Sequence, residues 1–239
     1  MNIITIENIC KAYKLKIALD SVSLTIKQGE LFGLLGVNGA GKTTLIKILC
    51  GLTKKTSGSV VINDFNLDSD MDKIKEIIDI SPQETSVASN LTVKENLEFF
   101  ANIYKNNDVN TISDIVDIFN LSDVLNQRAK TLSGGYKRRL SVAIALISKP
   151  KILFLDEPTL GLDVFARREL WNIIKKLQKN ITIILTSHYL DEIENLCDRV
   201  AILSKGKLLE VGTINEIKKI TKTTNFEDAF IKLVEAKNE

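Results

Sequence analysis

Cysteine, proline and histidine are all scarce in this chain of 239 residues, which contains three cysteines, three prolines and one histidine. The cysteines, Cys10, Cys50 and Cys197, are odd in number and widely separated along the chain. They therefore provide neither a disulfide framework nor the close spacing of zinc ligands. This cysteine usage suits a reducing compartment.

Long hydrophobic runs and an excess of one charge are also missing. The most apolar stretches, "LSVAIALIS" and "ITIILTS", are far shorter than the ~20 residues that span a bilayer as a helix. The start, "MNIITIENICKAYK", lacks the basic, apolar and cleavage segments of a secretory signal. With 32 basic and 30 acidic residues, the net charge of +2 gives no field that attracts nucleic acid or anionic lipid. We expect a cytoplasmic chain that does not cross a membrane alone and has no nucleic-acid partner.

Short apolar strands alternate with amphipathic helices along most of the chain. The stretches "ELFGLLG" and "KILFLDEP" have the continuous apolar character of strands buried on both faces. "VFARRELWNIIKKLQ" predicts a helix, and "RVAILSKGKLLEVG" predicts a hairpin that turns at Lys205 and Gly206. This alternation predicts an α/β fold with a mostly parallel sheet covered by helices.

Between residues 84 and 149 the pattern is mainly helical. Thr92 and Glu95 form a capping box at the start of one predicted helix. Four residues would then share its apolar face: Val93, Leu97, Phe100 and Tyr104. We expect one domain, with a catalytic core at 1–83 and 150–212, a helical lobe at about 84–149 and a helical tail at 213–239.

Residues 36–43 read "GVNGAGKT", which satisfies the pattern G-x-x-x-x-G-K-[ST] between a predicted strand and a predicted helix. In that setting backbone N–H groups of the loop face phosphate oxygens, helped by the positive end of the helix. A side chain at Gly39 or Gly41 would obstruct the phosphate. Lys42 would neutralise phosphate charge, and the Thr43 hydroxyl would ligate Mg²⁺. The alternative is a glycine-rich turn that binds nothing, but the pattern in this context favours a nucleoside triphosphate.

Polar residues follow two of the predicted buried strands. Asp156 and Glu157 end "ILFLDEP", and His188 follows "ITIILTS". Ligands of open α/β sheets gather at the carboxyl ends of the strands, so these side chains would face the nucleotide. Asp156 is then a Mg²⁺ holder, Glu157 the base or orienter of water, and His188 a sensor of the γ-phosphate. Alternatively, the two carboxylates are solvated and the histidine is an ordinary surface or core residue.

A second glycine-rich segment, "LSGGY" at residues 132–136, precedes another predicted helix and offers a further anion site. The apolar face of that helix would contain Leu140, Ala143, Ile144 and Ile147, and Pro150 would end the helix. The basic run Lys137–Arg139 is interpreted as a solvated helix face, with added positive charge near a nucleotide as the alternative.

Five motifs in order make the chain resemble the ATP-binding subunit of ABC transporters over essentially its full length. They are "GVNGAGKT", "LSGGY", "ILFLDEP", "LGLD" at residues 160–163 and "TSH" at residues 186–188. The resemblance implies a P-loop NTPase fold with a mostly parallel core sheet, an N-terminal antiparallel β portion and an inserted helical lobe. It also implies ATP and Mg²⁺ as cofactors and ATP hydrolysis as the activity.

The resemblance also assigns residues. It implies that Glu157, His188 and Lys42 are catalytic, and that Thr43, Gln83 and Asp156 hold the metal. The residues implied to bind the nucleotide are Tyr13, Gly36, Asn38, Gly39, Gly41, Lys42, Thr43, Thr44, Gln83, Ser133, Gly134, Gly135 and Asp163. Tyr13 would stack on adenine, although an ordinary edge tyrosine is the alternative, as a surface loop residue is for Gln83. Tyr136 departs from the family's commoner glutamine, and we expect activity to survive that change.

Partners follow from the same resemblance. Two copies, or this chain and a homologous cassette, would pair head to tail around ATP. A separately encoded membrane permease, docked near residues 83–100, would hold the chain at the inner face of the membrane. Short segments such as "LGLDVFARRELW" and "NFEDAFIKLVE" resemble single-cassette bacterial exporters of drugs, antibiotics or lipids. The alternatives are a non-transport or regulatory ATPase and a binding module without turnover.

Overall fold

The computed structural model describes residues 1–14, 16–106, 108 and 110–236. Two compact units divide the chain, the first made of Met1–Lys75 and Thr182–Glu239 and the second of Glu76–Ile181. The boundaries expected for core, lobe and tail therefore stay a prediction, and the last three residues of the tail lie outside the described residues.

An antiparallel sheet forms the N-terminal part of the first unit. Its strands are β1 (Asn2–Tyr13), β2 (Lys16–Lys27), β4 (Ser57–Ile62) and β5 (Phe65–Asn66), in the order β2-β1-β4-β5. Alternate residues of β1 are apolar, and Ile4, Ile6 and Ile9 are buried. The antiparallel N-terminal portion is thus confirmed.

Mostly parallel strands form the rest of the β-structure in this unit. They are β3 (Leu31–Leu35), β8 (Thr182–Ser187), β9 (Arg199–Ser204) and β10 (Lys207–Gly212). β3 lies between β8 and β9 and is parallel to both, while β10 is antiparallel to β9. Every residue of β3 and β8 is buried, as expected of central parallel strands. The turn from β9 to β10 contains Lys205 and Gly206, both at positive φ, so the predicted hairpin is confirmed.

Helices cover these strands. They are α1 (Lys42–Leu49), α2 (Met71–Lys75), α7 (Leu190–Leu196), α8 (Ile214–Thr221) and α9 (Phe226–Glu235). α8 and α9 contribute Ile217 and Phe226 to a buried cluster with Leu35 and Ile202 of the sheet. The two C-terminal helices are therefore anchored in the core of the first unit.

The second unit contains two parallel strands and the remaining helices. The strands are β6 (Ile78–Ser81) and β7 (Ile152–Asp156), and the helices are α3 (Val93–Ile103), α4 (Asn110–Ile118), α5 (Gly134–Ala145) and α6 (Val164–Gln178). Short 3₁₀ turns lie at Ser122–Val124 and Ala129–Thr131. The capping box at Thr92 and Glu95 is present in α3.

Three sequence-based expectations differ from the structure. The strand β2 was not predicted, because the alternation of its residues 22–27 is broken at Ser21, which has φ +53° and lies where the register with β1 shifts. α5 ends at Ala145 through tighter i→i+3 bonds at Leu146 and Ile147, well before Pro150. The apolar face predicted for α3 is only partly buried, because Tyr104 at its end is 41% exposed.

Candidate nucleotide-binding site

The loop between β3 and α1 is built from three glycines that the local backbone requires. Gly39 has φ +81° and Gly41 has φ +108°, a region that other residues enter only at a cost. A Cβ atom on Gly41 would lie 2.7 Å from the carbonyl oxygen of Ala18 in β2, and one on Gly36 would clash with the carbonyl of Leu203 in β9. The loop is therefore pressed against neighbouring strands at both of its ends.

Lys42 begins α1 and turns its side chain back into this loop. Its Nζ donates to the carbonyl oxygen of Gly36 at 2.7 Å, and the residue is only 4% exposed. Thr43 and Thr44 follow in the first helical turn and are partly exposed, and Asn38 is exposed in the loop. A cation and the N-terminal end of a helix thus meet at one point, which is the arrangement that binds a phosphate.

His188 leaves the sheet at the same edge as the glycine loop. β3 and β8 are parallel, with Leu35 paired to Ser187, so Gly36 and His188 each follow a strand at the same level. The His188 side chain is partly exposed, and its ring lies 4.1 Å from that of Tyr189, measured between centroids.

Tyr13 lies at the far end of β1 and is 45% exposed. It pairs with Lys16 of β2, two residues from Ala18, whose carbonyl borders Gly41. The Lys11 ammonium lies 4.5 Å from the centroid of its ring. The structure therefore brings the β1–β2 hairpin to the glycine loop and leaves much of the Tyr13 ring accessible.

In the second unit, Asp156 is the last residue of β7 and Glu157 follows it; both are buried, at 4% and 9% exposed. Glu157 has φ +47°, an uncommon left-handed conformation for a residue other than glycine. β6 is parallel to β7, with Ser81 paired to Leu155. Gln83 and Glu157 therefore each stand two residues beyond a paired position, and Gln83 is exposed.

The "LSGGY" segment forms the start of α5. Ser133 is the N-cap residue, and its Oγ accepts the N–H of Tyr136 at 3.4 Å. A Cβ atom on Gly134 would make an ordinary contact with the Leu162 side chain at 4.0 Å, whereas one on Gly135 would lie 2.9 Å from the Cβ of Ala166 in α6. Gly135 is thus needed for the packing of two helices, whereas Gly134 has room for a Cβ atom.

Asp163 is the N-cap of α6, and its Oδ1 accepts the N–H groups of Phe165 and Ala166 at 2.9 and 3.0 Å. This cap gives the exposed Asp163 a role in its own chain. Whether it also acts on a second copy is a separate prediction.

Two arginines that follow the "LSGGY" segment were interpreted wrongly from the sequence. Arg138 and Arg139 are 2% and 6% exposed, so this part of the basic run is not a solvated helix face. Arg139 donates to the carbonyl of Phe119 and to Glu169, and its guanidinium carbon lies 4.1 Å from the Tyr136 ring centroid. The signal was available in the sequence, because residues 140–147 are small or apolar on every face, which indicates a helix buried all round.

Thr43 and Asp156, two of the residues expected to hold Mg²⁺, each carry an oxygen donor of the kind that this ion prefers. Among the described residues no group of three or more His, Cys, Asp or Glu side chains is arranged to hold a metal. Mg²⁺ rarely uses such a cage, since it takes one or two protein ligands and completes its shell with phosphate oxygens and water. The Thr43 hydroxyl and the Asp156 carboxylate are oxygen donors of this type.

Comparisons with known proteins give the family. The protein-family model described as "ABC transporter" matches residues 19–160 of this chain. The linearmycin resistance ATP-binding protein LnrL of Bacillus subtilis (strain 168) is 37% identical over 215 residues, which are 88% of this chain and 69% of LnrL. Of several longer relatives the chain spans much less, such as 22% of ABC transporter A family member 4 of Arabidopsis thaliana.

Solved structures agree with this assignment. An ATP-binding subunit of an ABC transporter superposes with a TM-score of 0.86 at 25% identity, over 97% of this chain and 99% of that one. The ATP-binding cassette MJ0796, in a dimeric post-hydrolysis state bound to ADP and Pi, gives a TM-score of 0.78 at 26% identity, over 88% of this chain and 98% of that one. The glycine loop, the family match and these superpositions together show that the chain belongs to the ABC transporter family, as a P-loop subunit that binds and hydrolyses ATP.

Proposed function

We propose that this chain powers an exporter of drugs, antibiotics or lipids whose membrane-spanning part is a separate protein. The observation that carries the proposal is the 37% identity to a linearmycin resistance ATP-binding protein over 88% of the chain. In the part of the chain that the structure describes, no helix combines the length and the apolar character that crossing a membrane requires. Under this proposal the chain reaches the inner face of the membrane through its permease.

ATP binding is assigned to the loop of the first unit. Lys42 is held at the loop by its bond to Gly36, so its charge is already in place for β- and γ-phosphate oxygens. Asn38, Gly39, Thr43 and Thr44 would supply further contacts, and Tyr13 offers an exposed ring to the adenine.

Mg²⁺ would be held by Thr43, Asp156 and Gln83. When bound, it would neutralise the charge that develops on the phosphate oxygens. Gln83 is exposed and lies beyond the end of β6. We expect it to link the bound metal to the helical lobe.

Hydrolysis is assigned to Glu157. Its carboxylate would accept a hydrogen bond from the attacking water and orient that water towards the γ-phosphorus. His188, on the loop side of β8, would donate to a γ-phosphate oxygen and hold the group in line. The protein would thus act by positioning and by charge, as phosphoryl transfer requires.

A second copy would complete the site. Ser133, Gly134 and Gly135 offer a hydroxyl and the N-terminal end of α5, a helix of 12 residues, to the phosphates of an ATP held by the partner. Asp163 would act across the same interface. A homologous cassette is the alternative partner to a second copy.

A non-transport or regulatory ATPase is the second candidate function. The exposed apolar side chains of α3 favour the exporter, since Phe99 and Ile103 are 49% and 55% exposed and provide a docking face for a permease helix. Purification from native membrane tests this: the exporter proposal expects a multi-span membrane protein to co-purify. Recovery of the ATPase in the soluble fraction alone would favour the second candidate.

Glu157→Gln tests the assignment of the chemistry. We expect ATP binding to be kept and turnover to fall by a factor of ~10² or more, because the water loses its base. Glu98→Gln, at an exposed glutamate of α3, is the control and should hydrolyse normally. The blocked variant should also sediment as a dimer with ATP. Near-normal turnover would remove Glu157 from the mechanism.

A further inference from the structure

The left-handed turn at Glu157 is bonded on both sides by the buried side chain of Arg138. Arg138 is the fifth residue of α5, one turn beyond the Ser133 cap, and is 2% exposed. Its Nε donates to the carbonyl oxygen of Pro158 at 2.7 Å, and its Nη2 donates to the carbonyl oxygen of Asp156 at 2.8 Å. These two carbonyls belong to the residues on either side of Glu157.

A bridge of this kind fixes the backbone at the residue between the two carbonyls. The left-handed conformation of Glu157 is unfavourable for a residue other than glycine and persists only when its surroundings enforce it. The planar guanidinium fork has fixed donor directions, so it sets the distance between the two carbonyls. The direction of the Glu157 side chain follows from that backbone.

The same guanidinium also reaches the segment after β6. Its Nη1 donates to the carbonyl oxygen of Pro82 and to that of Gln83, the latter at 3.2 Å. A second link between the same elements is the buried hydrogen bond between Ser81 and Ser141 at 3.1 Å. One side chain on α5 therefore joins the Gln83 segment to both sides of Glu157.

We propose that Arg138 is a positioning residue for ATP hydrolysis, which holds the Glu157 turn in register with the Gln83 segment and with the start of α5. The proposal rests on the proposed role of Glu157. A displacement of Ser133 or of Gln83 would move Arg138 or its acceptors, so the orientation of the base would depend on both. Lysine is no substitute, since one ammonium cannot span carbonyls on opposite sides of the turn.

The test is a double-mutant cycle on turnover. We expect Arg138→Gln to lower kcat by about 10- to 100-fold, the range produced by a misplaced catalytic group, while KM and the affinity for ATP stay the same. In a Glu157→Gln background the same change should have no further effect, because the residue that Arg138 orients is already disabled. Single-turnover assays with radiolabelled ATP resolve these low rates.

Arg139→Gln is the matched control, since Arg139 is also buried on α5 but bonds to Phe119 and Glu169 instead. Any effect of this change on kcat should multiply with that of Glu157→Gln. If Arg138→Gln does not fold, as judged by circular dichroism, Arg138→Lys replaces it in the cycle, with the same expected loss and the same absence of a further effect.

Two outcomes would overturn the proposal: unchanged kcat in the folded Arg138 variant, or reductions that multiply in the double variant. Failure of the proposed function is distinct, since it would appear as normal turnover in Glu157→Gln itself.

Discussion

Gly39 and Gly41 both have positive φ, but they differ in what surrounds them. A Cβ atom on Gly41 would meet the Ala18 carbonyl and the Leu19 side chain. Among the described residues, apart from its chain neighbours, none has an atom within 4 Å of a Cβ atom on Gly39. We expect Gly41→Ala to lower the free energy of unfolding by more than the ~1–2 kcal/mol that left-handed strain alone costs. Gly39→Ala should lose only that smaller amount, as measured by urea denaturation without nucleotide.

ATP binding by the same two variants separates folding from recognition. If phosphate approaches the loop closely, Gly39→Ala should lose affinity for ATP although its fold is nearly intact. Normal affinity in this variant would contradict the prediction that a side chain at Gly39 obstructs the phosphate.

Among single residues, the sequence predicted those that are needed for a local backbone conformation or for a helix cap. The glycines at positive φ and the Thr92 cap are examples. The hydrogen-bond partners of Arg138 and Arg139 could not be predicted in this way, because they are distant in the sequence. The acceptors of Arg138 are carbonyls 18 to 56 positions away, and those of Arg139 are carbonyls and a glutamate 19 to 30 positions away. Only the folded chain brings such acceptors together.

Among the secondary-structure elements, β6 and the end of α3 are joined through Asp79. Burial raises the pKa of this carboxyl, which accepts the Ser148 hydroxyl at 2.9 Å and the Ile80 N–H at 2.7 Å. Tyr104, at the C-cap of α3, also bonds to Asp79, and the pKa of its phenol is raised, mainly by burial.

Asp79→Asn should therefore change how stability depends on pH. A raised carboxyl pKa gives a contribution that is fully present below the ordinary value of 3.8 and is lost as pH rises through the higher folded value. We expect the wild type to gain stability relative to Asp79→Asn as pH falls from 7 towards 4.5. Urea denaturation at several pH values measures the difference.

Glu95→Gln is a control of opposite sign. The Thr92 backbone N–H lowers the pKa of Glu95, so its contribution is present above the ordinary value of 4.5 and is lost as pH falls. The wild type should lose stability relative to this variant in acid. Equal slopes for the two variants would contradict both assignments.

Helices and strands whose apolar residues follow a regular pattern could be predicted from the sequence, whereas irregular elements could not. β3, β7 and β8 are short, mainly apolar and wholly buried, and α6 buries Leu170, Ile173 and Ile174 as its spacing indicates. β2 was missed because an irregularity at Ser21 interrupts its alternating pattern. The true end of α5 depends on where its last turn tightens, which composition does not encode.

For the whole molecule, the proposed mechanism requires that one chain supplies only part of each ATP site. The chain offers a phosphate loop in its first unit and a second helix N-terminus at Ser133–Gly135 in its second. The family model spans residues 19–160 and so includes both segments. The order of the motifs could be read from the sequence, whereas head-to-tail pairing is implied only by the family resemblance, because it depends on a surface that two folded chains would share.

The most direct test mixes two inactive variants. Lys42→Met removes the loop lysine, and Gly134→Asp places a negative charge where the partner's phosphate would bind. A Cβ atom at residue 134 would lie 4.0 Å from the Leu162 side chain, an ordinary contact distance, so we expect the fold to be kept. Each variant alone should be inactive. In a mixed head-to-tail dimer one site carries both changes and the other carries neither, so the mixture should recover about a quarter of the wild-type turnover by random pairing. Turnover in the mixture no greater than that of the separate variants would contradict the account.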